Sequence, residues 1–475
     1  MNEMDVVAKL WGFCDVLRDD GIGYGDYIEQ LTYLLFLKMA KERGVSIPEG
    51  YDWDSLRKRS GTELTRHYVE VLNRLANARG RLGDIFAGSL SKFREPVNLK
   101  KLITMIDEIH WADIDVDIKG TAYEGLLQKY AEEQKGAGQY FTPRELIRSI
   151  VRCMTPDIRT SKDFSIHDPA CGTGGFLIGT YEWMLTQTDM GATLSRDEME
   201  RLQKKTFSGG EIVLDTRRLA VMNLTLHEIE AEIYYGDSLA EGPHTKRRYD
   251  CVLTNPPFGV KGGGGSADRA DFAVQTSNKQ LNFVQHVMTI LKPGGRAAMV
   301  VPDNVLFESG AGKEVRKILM ADCNLHTILR LPVGTFTPYS SGVKANVIFF
   351  TKGSPTQEIW VYDLRTSIKK INKSNPISPR MFAEFEEGYG LGPVVVNNGH
   401  RTETDRFRSF SRKSIGEKDD NLDIAWLVDE SMGNSSALPE PDEIVADISM
   451  LLQSALQEVE TLEELLQRRE PSSEA

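Results

Sequence analysis

The sequence predicts an α/β protein with an all-α N-terminal domain and a coiled-coil-like helix at its carboxyl end, on three observations. Short β-rich runs alternate with helical stretches through the middle of the 475-residue chain. Ahead of them, apolar residues recur only at helical spacing, and a heptad pattern closes the sequence. Alternating strands and helices imply βα units and a mostly parallel sheet, which binds ligands outside the carboxyl ends of its strands.

Residues 1–135 form the predicted helical domain. Leu64, Tyr68, Val71, Leu72 and Leu75 make one amphipathic stripe, and Leu99, Leu102, Ile103 and Ile106 make another. Asp26 is placed to cap a third helix through Ile28, Leu31, Leu34, Leu35 and Met39. The glycines of 131-AEEQKGAG-138 then signal a loop. Residues 136–370 are the predicted α/β domain, with strands at 164-FSIHD-168, 231-AEIYYG-236, 249-YDCVLTN-255, 297-AAMVVP-302 and 345-ANVIFFT-351. Residues 371–440, rich in Asn, Ser, Pro, Gly and charge, read as an irregular extension. In 441–470, Val445, Ile448, Leu452, Ala455, Val459, Leu462 and Leu466 alternate spacings of three and four, a heptad seam. Residues 439–475 carry ten acidic and two basic side chains, which suits a basic partner; folding back on the chain's own helical domain is the alternative.

Composition narrows the function classes. Lys and Arg number 57 against 69 Asp and Glu, a net charge of −12, so the chain is no electrostatic sponge for nucleic acid, and any DNA contact is local or shared with a more basic partner. Apolar runs such as 33-YLLFL-37 fall far short of the ~18 residues of a membrane span, and the acidic N-terminus does not read as a signal peptide. Five scattered cysteines with no CxxC pair argue against a disulfide framework or a zinc site. The expectation is a soluble cytoplasmic protein.

Three stretches carry chemistry. In 168-DPACGTGGF-176 a glycine-rich turn after a strand lets backbone approach a ligand, although alone it is equally a tight strand–helix turn. In 255-NPPF-258 two prolines stiffen the strand end and remove two N–H donors. The Asn255 amide and the Pro256 carbonyl remain as acceptors for a planar NH₂ group, with Phe258 available to stack on a flat ring; as a bare tetrapeptide this is most often a turn. In 138-GQYFTPRELIRSIV-151, Thr142, Pro143 and Glu145 fit a capping box with Pro at N1, which needs no ligand. Gln139, Tyr140 and Phe141 form a polar-aromatic shoulder beside that helix start.

In this order the stretches resemble the N6-adenine DNA methyltransferases, and more closely the modification subunits of type I restriction-modification systems. The resemblance runs nearly the length of the chain, taking in 281-LNFVQHVMTILKPGGRAAMVVPDNVLF-307 and 328-ILRLPVGTF-336. It implies the S-adenosylmethionine-dependent methyltransferase fold, with a Rossmann-like sheet, and S-adenosylmethionine as methyl donor. It implies that Gln139, Tyr140, Phe141, Thr142, Pro143 and Arg144 line the donor's methionine end. Asp168, Gly172, Thr173, Gly174 and Gly175 match the turn under its sugar and methionine. Glu211 matches the acidic position for the ribose hydroxyls, and Asp237 in 236-GDSL-239 the one for the adenine amino group, although Asp237 also fits a plain strand-end turn. Asp168 and Glu211 lie 43 residues apart, more than the ~20 of a plain dinucleotide unit. A helical insert near 189–206 would account for the excess.

The implied reaction flips an adenine out of duplex DNA. Asn255 and the Pro256 carbonyl accept from its N6, Phe258 stacks on it, Pro257 keeps the strand end rigid, and alignment of the reactants does most of the work. The implied assembly is two copies of this chain with a specificity subunit that reads the DNA, joined for restriction by a nuclease/translocase subunit. The chain shows no base-reading module and no GxxxxGK[ST] phosphate loop of its own. A run of glycines, 262–265, suggests a loop ordering on DNA, or a plain insertion. Methylation of a protein glutamine, which uses a similar tetrapeptide usually ending in Tyr, and a binding-only scaffold are the competing readings.

Overall fold

The computed structural model describes residues 3–22, 24–111, 142–258, 269–337, 343–365, 371, 375–390, 401–427 and 452. Gln139, Tyr140, Phe141, the glycine run and all of the heptad segment except Leu452 lie outside them. By packing, the chain divides into two units: residues 1–137 with 172–174 and 213–233, and residues 138–171, 175–212 and 234–475.

The first unit contains helices α1 (Glu3–Asp19), α2 (Tyr24–Glu42), α3 (Trp53–Arg57), α4 (Gly61–Ala76), α5 (Arg81–Phe86) and α6 (Pro96–Asp107). Both apolar stripes read from the sequence face inward: Leu64, Tyr68, Val71, Leu72 and Leu75 of α4 and Leu99, Leu102, Ile103 and Ile106 of α6 are buried. Each such aliphatic side chain stabilises the fold by about 1.5–3 kcal/mol. Asp26 does not cap α2. The helix starts two residues earlier, at Tyr24, so Asp26 stands in its first turn, where a carboxylate complements the helix dipole. A capping role falls instead to buried Asp20, whose carboxylate accepts from the Arg94 and Glu95 N–H groups ahead of α6 and from the Asn98 amide.

Among the described residues, nine strands form one sheet: β1 (Ile166–Asp168), β2 (Phe207–Glu211), β3 (Glu232–Tyr235), β4 (Tyr249–Thr254), β5 (Leu291–Pro302), β6 (Cys323–Arg330), β7 (Ala345–Lys352), β8 (Glu358–Asp363) and β9 (Phe407–Ser411). Their order is β3-β2-β1-β4-β5-β7-β6-β8-β9. Strands β1, β2, β4, β5, β6 and β8 point one way, while β7 and β9 run against them. The sheet is therefore mixed: β7 inserts antiparallel between β5 and β6, which strand–helix alternation alone does not reveal. Strand order reverses between β1 and β4, and such a reversal opens a crevice at the carboxyl ends.

The helices of the sheet region are α7 (Arg144–Met154), α8 (Gly175–Gln187), α9 (Arg196–Lys204), α10 (Leu214–Leu226), α11 (Lys279–Ile290), α12 (Asn304–Phe307) and α13 (Ala311–Asp322). The helical insert expected near 189–206 is α9, started by a capping box between Ser195 and Glu198. Apolar residues of β4 and β5, among them Val252, Met299 and Val301, pack with Val284 and Val287 of α11 and Leu319 of α13 into the main core. Residues 371–440 are not irregular throughout. They include β9 and two short helices, α14 (Ala383–Tyr389) and α15 (Arg412–Gly416). The strand is short and polar, and its antiparallel pairing to β8 is long-range, so no local pattern announces it. No helix among the described residues is long and apolar enough to cross a membrane.

Candidate active site

Strand β4 delivers Asn255 to the carboxyl edge of the sheet, where Pro256 and Pro257 prevent the ladder from continuing. The Asn255 Nδ2 donates to the Thr142 hydroxyl at 2.9 Å. Its Oδ1 is buried and has no partner among the described residues. An unmet buried acceptor costs about 1–3 kcal/mol, and such atoms concentrate where a ligand supplies the missing donor. The contact with Thr142 fixes which end of the amide is spent and which is kept.

This overturns the capping box at 142–145. Pro143 is the N-cap residue of α7, with no side-chain capping bond, and the helix begins at Arg144 rather than at the proline. Pro143 has an extended ψ of 136° that holds it outside the helix, and Thr142, one residue further out, turns its hydroxyl to Asn255. Glu145 pairs with Arg148 at 3.1 Å, and Arg144 with Glu182 of α8, also at 3.1 Å.

Pro256 is buried, Pro257 exposed, and Phe258 almost fully covered. The Phe258 ring stands edge-on to Phe336, centroids 5.8 Å apart at 85°. Phe336 follows β6 in the loop 331–337 and is fully buried. It has no role in the sequence argument; its only signal there was its place in a strand-end stretch, and the pairing joins residues 78 apart.

On the other side of the strand reversal, β1 ends at Asp168, which is 1% exposed. Burial pushes its carboxyl up to about 7; the nearby Glu211 charge adds to the rise, and the bond from the Ala170 N–H draws it back. The following turn needs glycine twice, since Gly172 has φ +53° and Gly174 has φ +89°. Glu211 ends β2 and is largely buried, with its carbonyl accepting from the Gly236 N–H at 3.1 Å. Cys171 N–H bonds the Gly210 carbonyl at 3.0 Å, and the Ser238 hydroxyl bonds the Pro169 carbonyl. The segments after β1, β2 and β3 are thereby tied together, and Asp168, Glu211 and Asp237 come to one edge. Asp237 is exposed and accepts from the Leu239 N–H at 2.9 Å, so the strand-end turn foreseen for it is present. Ile212 is 57% exposed beside Glu211, an apolar surface with no place in the sequence argument although the E-I pair was visible.

Chemically, the carboxyl edge of the sheet offers a buried acceptor at Asn255, an aromatic ring at Phe258 and the carboxylates of Asp168 and Glu211. The described residues contain no cluster of His, Cys, Asp or Glu arranged to hold a metal ion.

Residues 114–433 match the family described as N-6 DNA Methylase, and residues 6–46 match the HsdM N-terminal domain. The chain is 41% identical over 511 residues to the type I restriction enzyme StySPI methylase subunit of Salmonella potsdam, covering 97% of this chain and 95% of that one. To the EcoKI methylase subunit of Escherichia coli K12 it is 40% identical over 512 residues, with the same coverage. The crystal structure of the EcoKI M protein (EC 2.1.1.72) superposes with a TM-score of 0.57 at 36% identity, over 99% of this chain and 97% of that one. A chain solved for the assembly and conformational transition of the type I R-M system superposes with a TM-score of 0.76 at 29% identity, over 99% and 100%.

Proposed function

Since this chain belongs to the N-6 DNA methylases, as the methylase subunit of a type I restriction-modification system that methylates adenine N6 in DNA, we propose that it uses S-adenosylmethionine as donor and the NPPF tetrapeptide as its catalytic centre. The observation that carries this reading is the buried Oδ1 of Asn255, unpartnered among the described residues, with the Nδ2 of the same amide bonded to Thr142.

The target adenine is flipped from the duplex into the site. Its N6 hydrogens are accepted by Asn255 Oδ1 and the Pro256 carbonyl, which draws the nitrogen lone pair out of conjugation with the ring. Phe258 stacks on the base and Pro257 keeps the strand end stiff. S-adenosylmethionine supplies a methyl group already activated on a sulfonium sulfur. The methylated N6 is left cationic and acidic and releases its extra proton to water, so no strong base is required of the protein, and alignment of the reactants supplies most of the rate.

The residues present fit that donor. The positive-φ glycines let backbone close on a ligand, and at Gly172 even a Cβ would meet nothing within 4 Å. Asp168, Gly172, Thr173, Gly174 and Gly175 hold its methionine and sugar, Glu211 its ribose hydroxyls, and Asp237 its adenine amino group. Gln139, Tyr140, Phe141, Thr142, Pro143 and Arg144 line the methionine end.

Four parts divide the work: helical residues 1–135, the catalytic domain 136–370, the extension 371–440, and the acidic heptad 441–470 for partner contact. A specificity subunit reads the DNA, two copies of this chain assemble on it in the cytoplasm, and a nuclease/translocase subunit adds restriction. The net charge of −12 supports delegated DNA reading. Transfer of labelled methyl from S-adenosylmethionine to duplex DNA tests this, using the chain alone and with the specificity subunit encoded beside it. Label is expected as N6-methyladenine only in the paired sample; label from the chain alone refutes the delegation.

A further inference from the structure

Helix α10 connects β2 to β3, yet it packs in the unit of the N-terminal helices, together with Gly172–Gly174. Two of its arginines grip that unit. Arg218, its side chain 5% exposed, donates to the Glu29 carboxylate, to the Tyr33 hydroxyl at 2.8 Å and to the Ala87 carbonyl. Tyr33 in turn donates to Glu29 at 2.6 Å. Arg217 bonds Asp84 at 3.0 Å and the Ile233 carbonyl at 2.7 Å. At the carboxyl end of α10, the Arg43 guanidinium bonds the Leu226 carbonyl, which places a cation where the helix dipole favours one.

The same helix holds the glycine turn. Asn223, 1% exposed, donates its amide to the Thr173 carbonyl at 3.1 Å. Its neighbour Leu224 lies beneath Gly174, where a Cβ would stand 3.3 Å from the Leu224 Cγ. Mere adhesion of α10 to the helical domain would need only apolar contact. Burying the Arg218 charge is costly unless hydrogen bonds satisfy it, and such directional bonds fix the rotation and register of a helix where apolar contact permits sliding.

We infer that Asn223 is a positioning residue for the donor-binding turn, and that the Arg218–Glu29–Tyr33 cluster couples the N-terminal helices to donor affinity through α10. The inference rests on the proposed donor site. Energetic coupling is reciprocal, so bound donor also steadies α2.

The test is equilibrium binding of S-adenosylmethionine to the full chain by calorimetry. Tyr33→Phe keeps the ring, which stacks on Phe86 at 5.3 Å, and removes only the hydroxyl. We expect Tyr33→Phe, Glu29→Gln and Asn223→Ala each to weaken binding about three- to tenfold. Tyr33→Phe added to Asn223→Ala should weaken it by less than about twofold more, because the link is already cut. Tyr362→Phe, which removes a buried hydroxyl on β8, outside the cluster, should leave binding unchanged. Donor should slow hydrogen exchange in residues 24–42 of the wild type but not of Asn223→Ala. Variants that bind like wild type, or losses that multiply fully in the double variant, overturn the coupling while the donor site stands. A wild-type chain that binds no S-adenosylmethionine overturns the donor site, and the coupling with it.

Discussion

The Asn255 amide has two ends with different fates, and the difference predicts how its neighbours behave. Asn255→Ala removes the acceptor for the target amino group, so methyl transfer should fall by on the order of 10²–10³-fold or more with donor binding nearly intact; transfer at wild-type rate would end the proposed mechanism. Thr142→Val leaves the Asn255 Nδ2 without its acceptor. It should lower kcat about tenfold, by more than it raises the donor KM, at a stability cost of about 1–3 kcal/mol, and Thr142→Ser should restore both. Asp168 supplies a pH signature. Its carboxyl is raised to about 7 by burial, above the ordinary carboxylate range, so the folded chain holds a proton that the unfolded chain releases. That stabilising contribution is complete below about pH 4 and is lost as pH rises through about 7. The donor is cationic and favours the ionised form, so its affinity should climb through about pH 7 and level off by about pH 8. Calorimetry across that range should show the climb in wild type and a flat profile in Asp168→Asn, whose melting temperature should exceed that of wild type at about pH 8.

Among the elements, the contact that places Thr142 is the packing of α7 on α8. Ile147 of α7 lies over two glycines of α8: a Cβ at Gly175 would stand 3.0 Å from its Cδ1, and one at Gly179 2.7 Å from its Cγ2. Those glycines permit an approach that puts the residues preceding α7 beside the end of β4. Gly179→Val should force the helices apart and cost about 1–3 kcal/mol by overpacking. It should also lower kcat more than it raises the donor KM, because Thr142 moves and the glycine turn does not; an unchanged kcat in a folded variant would refute this placement. Elements also mark where the sequence was legible. The stripes of α4 and α6 showed because 3.6-residue periodicity is local, and β4 and β5 because buried strands read as apolar runs. The insertion of β7 between β5 and β6 did not show, since strand order is written in no local pattern. The bond from Asn255 to Thr142, 113 residues apart, was hidden for the same reason. There the local rule that explains Thr142 as a helix cap gave way to a tertiary partner.

At the scale of the whole chain, buried histidines set the acid limit of stability. His167 lies fully buried in the sheet, its ring 4.2 Å from that of Tyr249 and its Nδ1 2.9 Å from the Ser208 hydroxyl; burial, with smaller contributions from His244 and Arg247, pushes it down to about 3. His326 is likewise pushed to about 3 by burial and by Arg401 and Arg296. His286, with the Arg269 guanidinium 3.3 Å from its Nδ1, is lowered well below the ordinary imidazole range, chiefly by burial. All three are neutral in the folded chain over the range where an unfolded chain protonates its imidazoles. The contribution of His167 and His326 is therefore whole above about pH 6.5 and is lost as pH falls toward about 3, by about 1.4 kcal/mol per pH unit for each, and that of His286 is lost in the same direction. Asp168 opposes them with one proton of the other sign between about pH 4 and 7. The net uptake on unfolding from these four groups should be about two protons near pH 5, a loss of about 3 kcal/mol per pH unit. That is large beside the 5–15 kcal/mol of a typical fold, so the melting temperature should drop steeply below about pH 6. His167→Phe keeps an aromatic ring against Tyr249 and removes one titrating site. It should lower the slope of stability against pH by about one proton, measured by denaturant unfolding at a series of pH values; a slope equal to that of wild type would mean that His167 titrates normally and that the sheet does not exclude its charge.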